Sequence, residues 1–510
     1  MSQPVVLRFA PSPTGPLHIG GVRTALFNYL FVQKMGGRLI LRIEDTDRSR
    51  YVPGAEEYII ESLAWLGIEF DEDVNKGGPV GPYRQSDRAA QGLYRQYADQ
   101  LVESGHAYYA FDTSEELDAM RERLKESGSS IQQYNAHTRG SMRNSLSLEP
   151  AEVERLLASE TPYVIRMKMP ENEEVVFQDV VREEVRFNTS QLDDKILLKS
   201  DGLPTYHLAN IVDDHLMGIS HVIRGEEWLS STPLHVLLYR ALDWQHPVFA
   251  HLPLILNPNG KGKMSKRQGD KMGFSVFPTN WTDPATGNVA TGYREDGYLP
   301  EALVNFLALL GWNPGNDEEI MHRDRLVELF DLERIVSKGA TFDLDKLKWF
   351  NETYIREKAP AALLPLVKPL WEKAFEVSQD DGYLGAVIQI LQERVTVLPD
   401  FVALGDYFFQ APGSYDEKFA RKKWKGDAGE LMLALKEKFA ASSEWSSEQL
   451  HGAFQALMAE KGIGAGKILA PLRLALTGKA SGPGAFDIAA LLGPEETYRR
   501  IDLAVERLGS

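Results

Sequence analysis

Cysteine is absent from all 510 residues, which excludes disulfides, thiolate catalysis and cysteine-ligated zinc. Long apolar runs are absent too. None reaches the ~18 residues a bilayer span requires, and the start of the chain lacks a basic segment followed by an apolar core. A cytoplasmic protein without a membrane partner is therefore expected. Positive charge is in short supply: 56 Lys and Arg stand against 73 Asp and Glu, a net charge of −17. Such a balance excludes a nonspecific nucleic-acid coat, which rests on phosphate neutralisation. It leaves room for a nucleic acid met by local basic patches, with the overall negative field penalising stray contacts. What remains is ordinary. Hydrophobic residues make up 43% and charged residues 25%, as in a globular protein, and the length suits roughly three or four domains.

The opening stretch carries the most information. Val5 to Phe9 reads as a short buried strand, broken by Pro11, Pro13, Thr14 and Gly15. Leu17, Ile19, Val22, Ala25, Leu26 and Tyr29 then recur at helical spacing. A polar cluster of Ser12, Thr14 and His18 thus lies between a strand end and a helix start, where unpaired N–H groups favour phosphate. Gly20 and Gly21 leave no side chain to hold a nucleotide off the backbone. Alone, two glycines and a histidine are a weak signal. A second strand, Arg38 to Ile43, ends in the charged run Glu44 to Arg50. If the sheet is parallel, those carboxylates fall on the same edge; an ordinary solvated loop also fits. Helices are expected from Pro53 to Leu66 and from about Asp87 to Ser104.

Further on, Leu203 to Asp214 and the strand-like run from His221 to Trp228 restore the same pattern, with the helix Ser230 to Leu242 following. On its own, Arg224 reads as a salt-bridge residue. The loop Asn259 to Asp270 is basic and glycine-rich, and taken alone it is equally a solvated charge run.

Together, His18-Ile19-Gly20-Gly21, Arg224-Gly225-Glu226-Glu227-Trp228 and Lys263-Met264-Ser265-Lys266-Arg267, in that order, resemble the signatures of class I aminoacyl-tRNA synthetases in the form of their bacterial glutamyl branch. The resemblance implies an α/β fold: a Rossmann-like parallel-sheet catalytic domain with an α+β insertion, followed by an all-α anticodon-binding region. It divides the chain into catalytic halves at 1–107 and 205–255, an acceptor-stem insertion at 108–204, a stem-contact region with the lysine loop at 256–348, and helical anticodon-binding domains at 349–510. It also implies ATP-dependent formation of glutamyl-adenylate, then transfer to the 3′-terminal adenosine of tRNA(Glu). The partners are L-glutamate, ATP with Mg2+ and tRNA(Glu), and the enzyme is expected to be a monomer.

By the same resemblance His18, Lys263 and Lys266 are catalytic, and they bind ATP with Gly20, Gly21, Glu227, Trp228 and Ser265. Two lysines on a loop suit the charge that develops on a transferring phosphoryl group. Glutamate is assigned to Arg8, Ala10, Ser12, Glu44, Tyr206, Asn210 and Arg224. A substrate with two carboxylates and an ammonium needs two cations and an anion, and guanidinium reads carboxylate well. Glu44 is expected on the ammonium and Arg224 on the side-chain carboxylate. A buried arginine facing a neutral amide would stay unpaired, so glutamate is favoured over glutamine. Charging of tRNA(Gln) as well is the alternative.

The remaining chain is less specific. Several bacterial members of this branch carry zinc-binding cysteines where this chain has Ala110, Asp112, Tyr134 and His137, so no metal site and no zinc are expected. Residues 127–149 read as a mobile loop and 273–297 as an inserted surface loop. Arg48 is expected near the acceptor stem. Arg394, Lys422 and Lys423 are candidate tRNA contacts in the helical half, where the run Lys418 to Lys425 suits RNA or a solvated helix face.

Overall fold

In the computed structural model, residues 4–129 and 132–509 are described, with the backbone alone for Lys266, Gln268 and Asp270. The first elements are β1 (Val6–Phe9), α1 (Ile19–Met35), β2 (Arg38–Leu41), α2 (Ala55–Trp65), α3 (Gln85–Ala90) and α4 (Leu93–Glu103). Then come β3 (Ala107–Ala110), α5 (Ser114–Glu126), α6 (Pro150–Ala158), β4 (Val164–Met167), β5 (Glu174–Asp179), β6 (Glu183–Asn188) and β7 (Ile196–Leu198). Next are α7 (Tyr206–Leu216), β8 (His221–Gly225), α8 (Thr232–Ala241), β9 (Val248–Leu252), β10 (Ile255–Leu256), α9 (Lys266–Met272), β11 (Trp281–Thr282) and β12 (Val289–Ala290).

Apolar strands with both faces covered make the parallel centre. β1 and β2 pair in parallel, Val6 beside Arg38 through Phe9 beside Leu41. β8 and β9 pair in parallel, and β5 lies on the other side of β9 in the order β6-β5-β9-β8. Ser220, just ahead of β8, ties the pieces together: its amide donates to the Val6 carbonyl and its Oγ accepts from the Val6 amide, both at 2.9 Å. The ends of β1, β2 and β8 therefore share an edge, and Ala10, Glu44 and Glu227 follow them there.

Three local expectations change. The helix expected over Asp87 to Ser104 is split into α3 and α4, because Gly92 turns left-handed at φ 73° between them. Of 127–149, Ser130 and Ile131 lie outside the described residues, while the middle of the rest is anchored by buried Tyr134, Asn135, Met142 and Asn144. Tyr134 and Met142 join Tyr108, Ala110 and Met120 in a small core, and buried Asn144 donates to Tyr134 Oη at 2.9 Å and the Arg139 carbonyl at 2.7 Å. The stretch 273–297 is no mere surface loop. Val276, Phe277 and Trp281 are buried, Trp281 meets Tyr58 edge-on at 5.1 Å, and the Tyr58 hydroxyl donates to the Thr279 carbonyl at 2.7 Å. Aromatic residues placed on a Pro- and Gly-rich loop were the sign of a packed segment.

The chain forms two compact units, one reaching to Glu295 and including Leu303–Leu344, the other comprising Asp296–Ala302 and the chain from Asp345. From Asp345 onward the second unit is helical, with Trp371, Leu435, Leu472 and Ile501 fully buried. Its last helix, Ala485–Leu508, bends at Gly493 (φ 79°), immediately before Pro494; proline cannot complete the helical hydrogen bond there. Among the described residues, no helix is long and apolar enough to cross a membrane.

Candidate active site

The edge of the parallel centre opens into a cleft of about 240 Å³ lined by Arg8, Ala10, Ser12, Gly20, Gly21, Glu44, Tyr206, Asn210, Arg224, Glu227 and Trp228. It brings together every residue assigned to glutamate from the sequence. A neighbouring cavity of about 480 Å³ is lined by His18, Gly20, Gly21, Arg23, Glu227, Lys263, Met264 and Ser265. Gly20, Gly21 and Glu227 belong to both.

One wall is a buried charge network that sequence reading missed. Arg42, wholly buried, pairs with Asp214 at 2.8 Å and with Glu44 at 3.1 Å. Asp214 also holds Arg8 at 3.0 Å, and Asp213 takes Arg88 at 2.6 Å. Arg8, Arg42 and Arg88 thus face Glu44, Asp213 and Asp214, a compensated set that a low-dielectric interior tolerates. Burial works to raise the Asp214 carboxyl, yet Arg8 and Arg42 outweigh it and hold it below the usual range. Glu44 differs: burial pushes its carboxyl up despite Arg42 and Arg8. Its Oε1 accepts from Arg42 and from Asn210, each at 3.1 Å. Arg8, expected free to meet substrate, is already engaged through Nε and Nη2 with Asp214.

Arg224 has another kind of surrounding. Only 5% exposed, it donates from Nε to His251 Nε2 at 3.0 Å, from Nη2 to Thr232 Oγ1 at 2.8 Å, and from Nη1 to the Tyr206 hydroxyl at 3.0 Å. His235 Nδ1 lies 3.4 Å from Nη1. No carboxylate among the described residues pairs with it. The histidines are neutral near pH 7. Burial, then the Arg224 charge, lowers His235 well below 6.5, and burial brings His207 to about 4. Burial also lowers His251, with Asp179 pulling the other way.

His18 caps α1, its Nδ1 accepting the Gly20 amide at 3.1 Å. That fixes the proton on Nε2, which is buried without a partner among the described residues. Burial and then Lys263 bring His18 down to about 4, so it is a neutral donor. The segment after the lysine loop braces it: the Ile19 amide donates to the Val276 carbonyl at 3.0 Å, and Phe277 stands edge-on to the imidazole at 6.4 Å. Lys263 pairs with Glu227 at 3.0 Å. The side chain of Lys266 lies outside the described residues. Trp228 leans on Tyr206 with ring centroids 4.2 Å apart.

Of the candidate tRNA contacts, Arg48 and Arg394 are exposed, and Lys422 and Lys423 line a basic hollow with Lys425 and Lys467. Arg23 was also missed. It is 3% exposed on the apolar face of α1, and its Nη1 donates to the Leu310 carbonyl at 3.0 Å.

Residues 4–349 match the family described as tRNA synthetases class I (E and Q), catalytic domain. The chain belongs to that family. Residues 362–505 match the anticodon binding domain family. Among curated relatives, the glutamate–tRNA ligase of Phocaeicola vulgatus is 55% identical over 508 residues, 99% of each chain. That of Christiangramia forsetii is 52% identical over 508 residues, 100% of each. A crystal structure of a glutamate tRNA ligase from Elizabethkingia meningosepticum, in complex with its amino acid, superposes with a TM-score of 0.96 at 49% identity, covering 99% of this chain and 100% of that one.

Proposed function

We propose that this chain ligates L-glutamate to tRNA(Glu), and the observation that carries the choice of amino acid is Arg224. A buried guanidinium whose partners are all neutral needs an anion, and a side-chain carboxylate supplies one where an amide does not. Arg8, through Nη1, adds a second cation, and Glu44 takes the ammonium that its burial leaves it wanting. Tyr206 and Asn210, with Ala10 and Ser12, complete the glutamate site.

The α-carboxylate of glutamate attacks the α-phosphorus of Mg–ATP and pyrophosphate leaves; magnesium arrives with the nucleotide as its counter-ion. The 2′-hydroxyl of the terminal adenosine then attacks the activated carbonyl, and AMP leaves. Gly20 and Gly21 let the nucleotide lie against α1, with Glu227, Trp228 and Ser265 beside it. His18 donates through Nε2–H, and Lys263 leaves Glu227 to meet the triphosphate together with Lys266. These groups act by position and charge. None is a covalent nucleophile.

The domain divisions read from the sequence fit this reading. The insertion at 108–204 and Arg48 receive the acceptor end, and Arg394, Lys422 and Lys423 receive the anticodon arm. The enzyme acts as a cytoplasmic monomer without zinc. Asp112 already accepts from the Tyr134 hydroxyl at 2.9 Å and the Arg143 amide at 2.7 Å, and His137 is solvent-facing at 63% exposure. One equivalent of zinc in chelator-washed protein would overturn that last point. The function itself is tested by charging purified tRNA(Glu) and tRNA(Gln) side by side with labelled glutamate. Charging of tRNA(Glu) is expected, and charging of tRNA(Gln) beside it would mark the non-discriminating alternative; no charging of tRNA(Glu) would reject the assignment.

A further inference from the structure

Behind Arg224 stands a relay that no step of the reaction uses. Asp179, at the end of β5, and His251, in β9, are 4% and 0% exposed. Asp179 Oδ2 lies 2.6 Å from His251 Nδ1, while His251 Nε2 accepts from Arg224 Nε at 3.0 Å. The carboxylate requires the proton on Nδ1, so Nε2 is left as an acceptor facing the guanidinium. Asp179 is itself fixed, for its Oδ1 accepts the Val181 and Arg182 amides, both at 2.9 Å.

We propose that Asp179 and His251 are positioning residues that hold the Arg224 guanidinium without neutralising it at contact distance, and so set the preference for a side-chain carboxylate over its amide. A carboxylate in direct contact with Arg224 would satisfy it and remove the reason to recruit an anion. A neutral imidazole one step removed anchors the same Nε and leaves the charge available. The inference rests on the reading that Arg224 meets the substrate side chain.

Asp179→Asn is the discriminating variant. The amide Oδ1 still accepts the Val181 and Arg182 amides, so the turn is kept. Nδ2 is now a donor, and it drives the His251 proton to Nε2, where it opposes the Arg224 Nε–H. Exchange between ATP and pyrophosphate, measured on the full chain with tRNA present, should show KM for glutamate raised about tenfold or more with kcat within about threefold. The ratio of kcat/KM for glutamate over glutamine should fall with it. A purely structural role would move kcat and thermal stability but not that ratio. Histidine 15N shifts should report His251 protonated on Nδ1 in the parent and on Nε2 in the variant. His251→Gln, whose Oε1 accepts from Arg224, should keep more discrimination than His251→Asn, which reaches only Asp179. An unchanged ratio in Asp179→Asn, an unchanged tautomer, or equal ratios for the two His251 variants would each overturn the proposal. Arg224→Gln separates the two levels. If it leaves KM for glutamate unchanged, the site reading itself fails; if it raises KM while Asp179→Asn does not, the relay alone fails.

Discussion

Arg42 and Arg224 are 0% and 5% exposed, one behind the cleft and the other in its lining, yet they are held in different ways. Arg42 is surrounded by carboxylates, with Asp214 at 2.8 Å and Glu44 at 3.1 Å. Arg224 is surrounded by a phenol, a hydroxyl and imidazoles. Compensated charge makes scaffold, because its demand for an anion is met within the fold. Uncompensated charge makes a receptor, because the missing anion must come from outside.

The comparison breaks most visibly at Asp214. Asp214→Ala strips Arg8 and Arg42 of a shared partner and should cost about 3–5 kcal/mol, as loss of one member of a buried pair does. A urea midpoint unchanged from the parent would contradict the scaffold role. Arg224→Ala should do the reverse. Its kcat/KM for glutamate should fall about 10²–10³-fold, roughly 3–4 kcal/mol of transition-state stabilisation, while its urea midpoint shifts less than that of Asp214→Ala. Equal destabilisation by the two variants would erase the distinction.

Acid separates the buried imidazoles from Asp214 by pH. His18 and His207 have folded-state values of about 4 against 6.5 unfolded, so between those values the unfolded chain binds more protons. Stability is complete above pH 6.5 and falls as pH drops toward 4, by up to about 1.4 kcal/mol per pH unit for each histidine. Asp214 is lowered below 3.8; its contribution, present above 3.8, is lost only on further acidification. Unfolding midpoints measured from pH 7 down to 4 should therefore decline before Asp214 titrates. The smallest effect is expected at Glu227, whose pair with Lys263 is exposed at 44% and 57%. Glu227→Gln should alter stability by less than about 1 kcal/mol, and a larger loss in the urea midpoint would mark that pair as structural.

Much of the site was legible because it is made of strand ends and helix starts, which short motifs report directly. Ala10, His18, Glu44 and Arg224 all follow from that rule. The strand-turn-helix at the start and the helical second half were equally plain from periodicity. The partners of those residues were not, since burial of a charge is a property of three-dimensional packing. Arg42 between Leu41 and Ile43, Asp213 and Asp214 after Ile211 and Val212, and His251 within Phe249-Ala250-His251-Leu252 each left one signal: a polar residue in an apolar run. Reading that signal as a demand for a partner would have found the network. Arg8 illustrates the limit, for its residue type gave no sign that Asp214 holds its Nε and Nη2 and leaves Nη1 for the cleft. In 273–297, Pro and Gly masked the packing of Phe277 and Trp281.

The central claim, that an uncompensated Arg224 selects the amino acid, is tested most directly by amino-acid-dependent ATP–pyrophosphate exchange with glutamate and with glutamine, each with and without tRNA(Glu). Exchange with glutamate when tRNA is present, and none with glutamine, is the predicted result. Exchange with glutamine at a comparable rate, or none with glutamate under any condition, would contradict it.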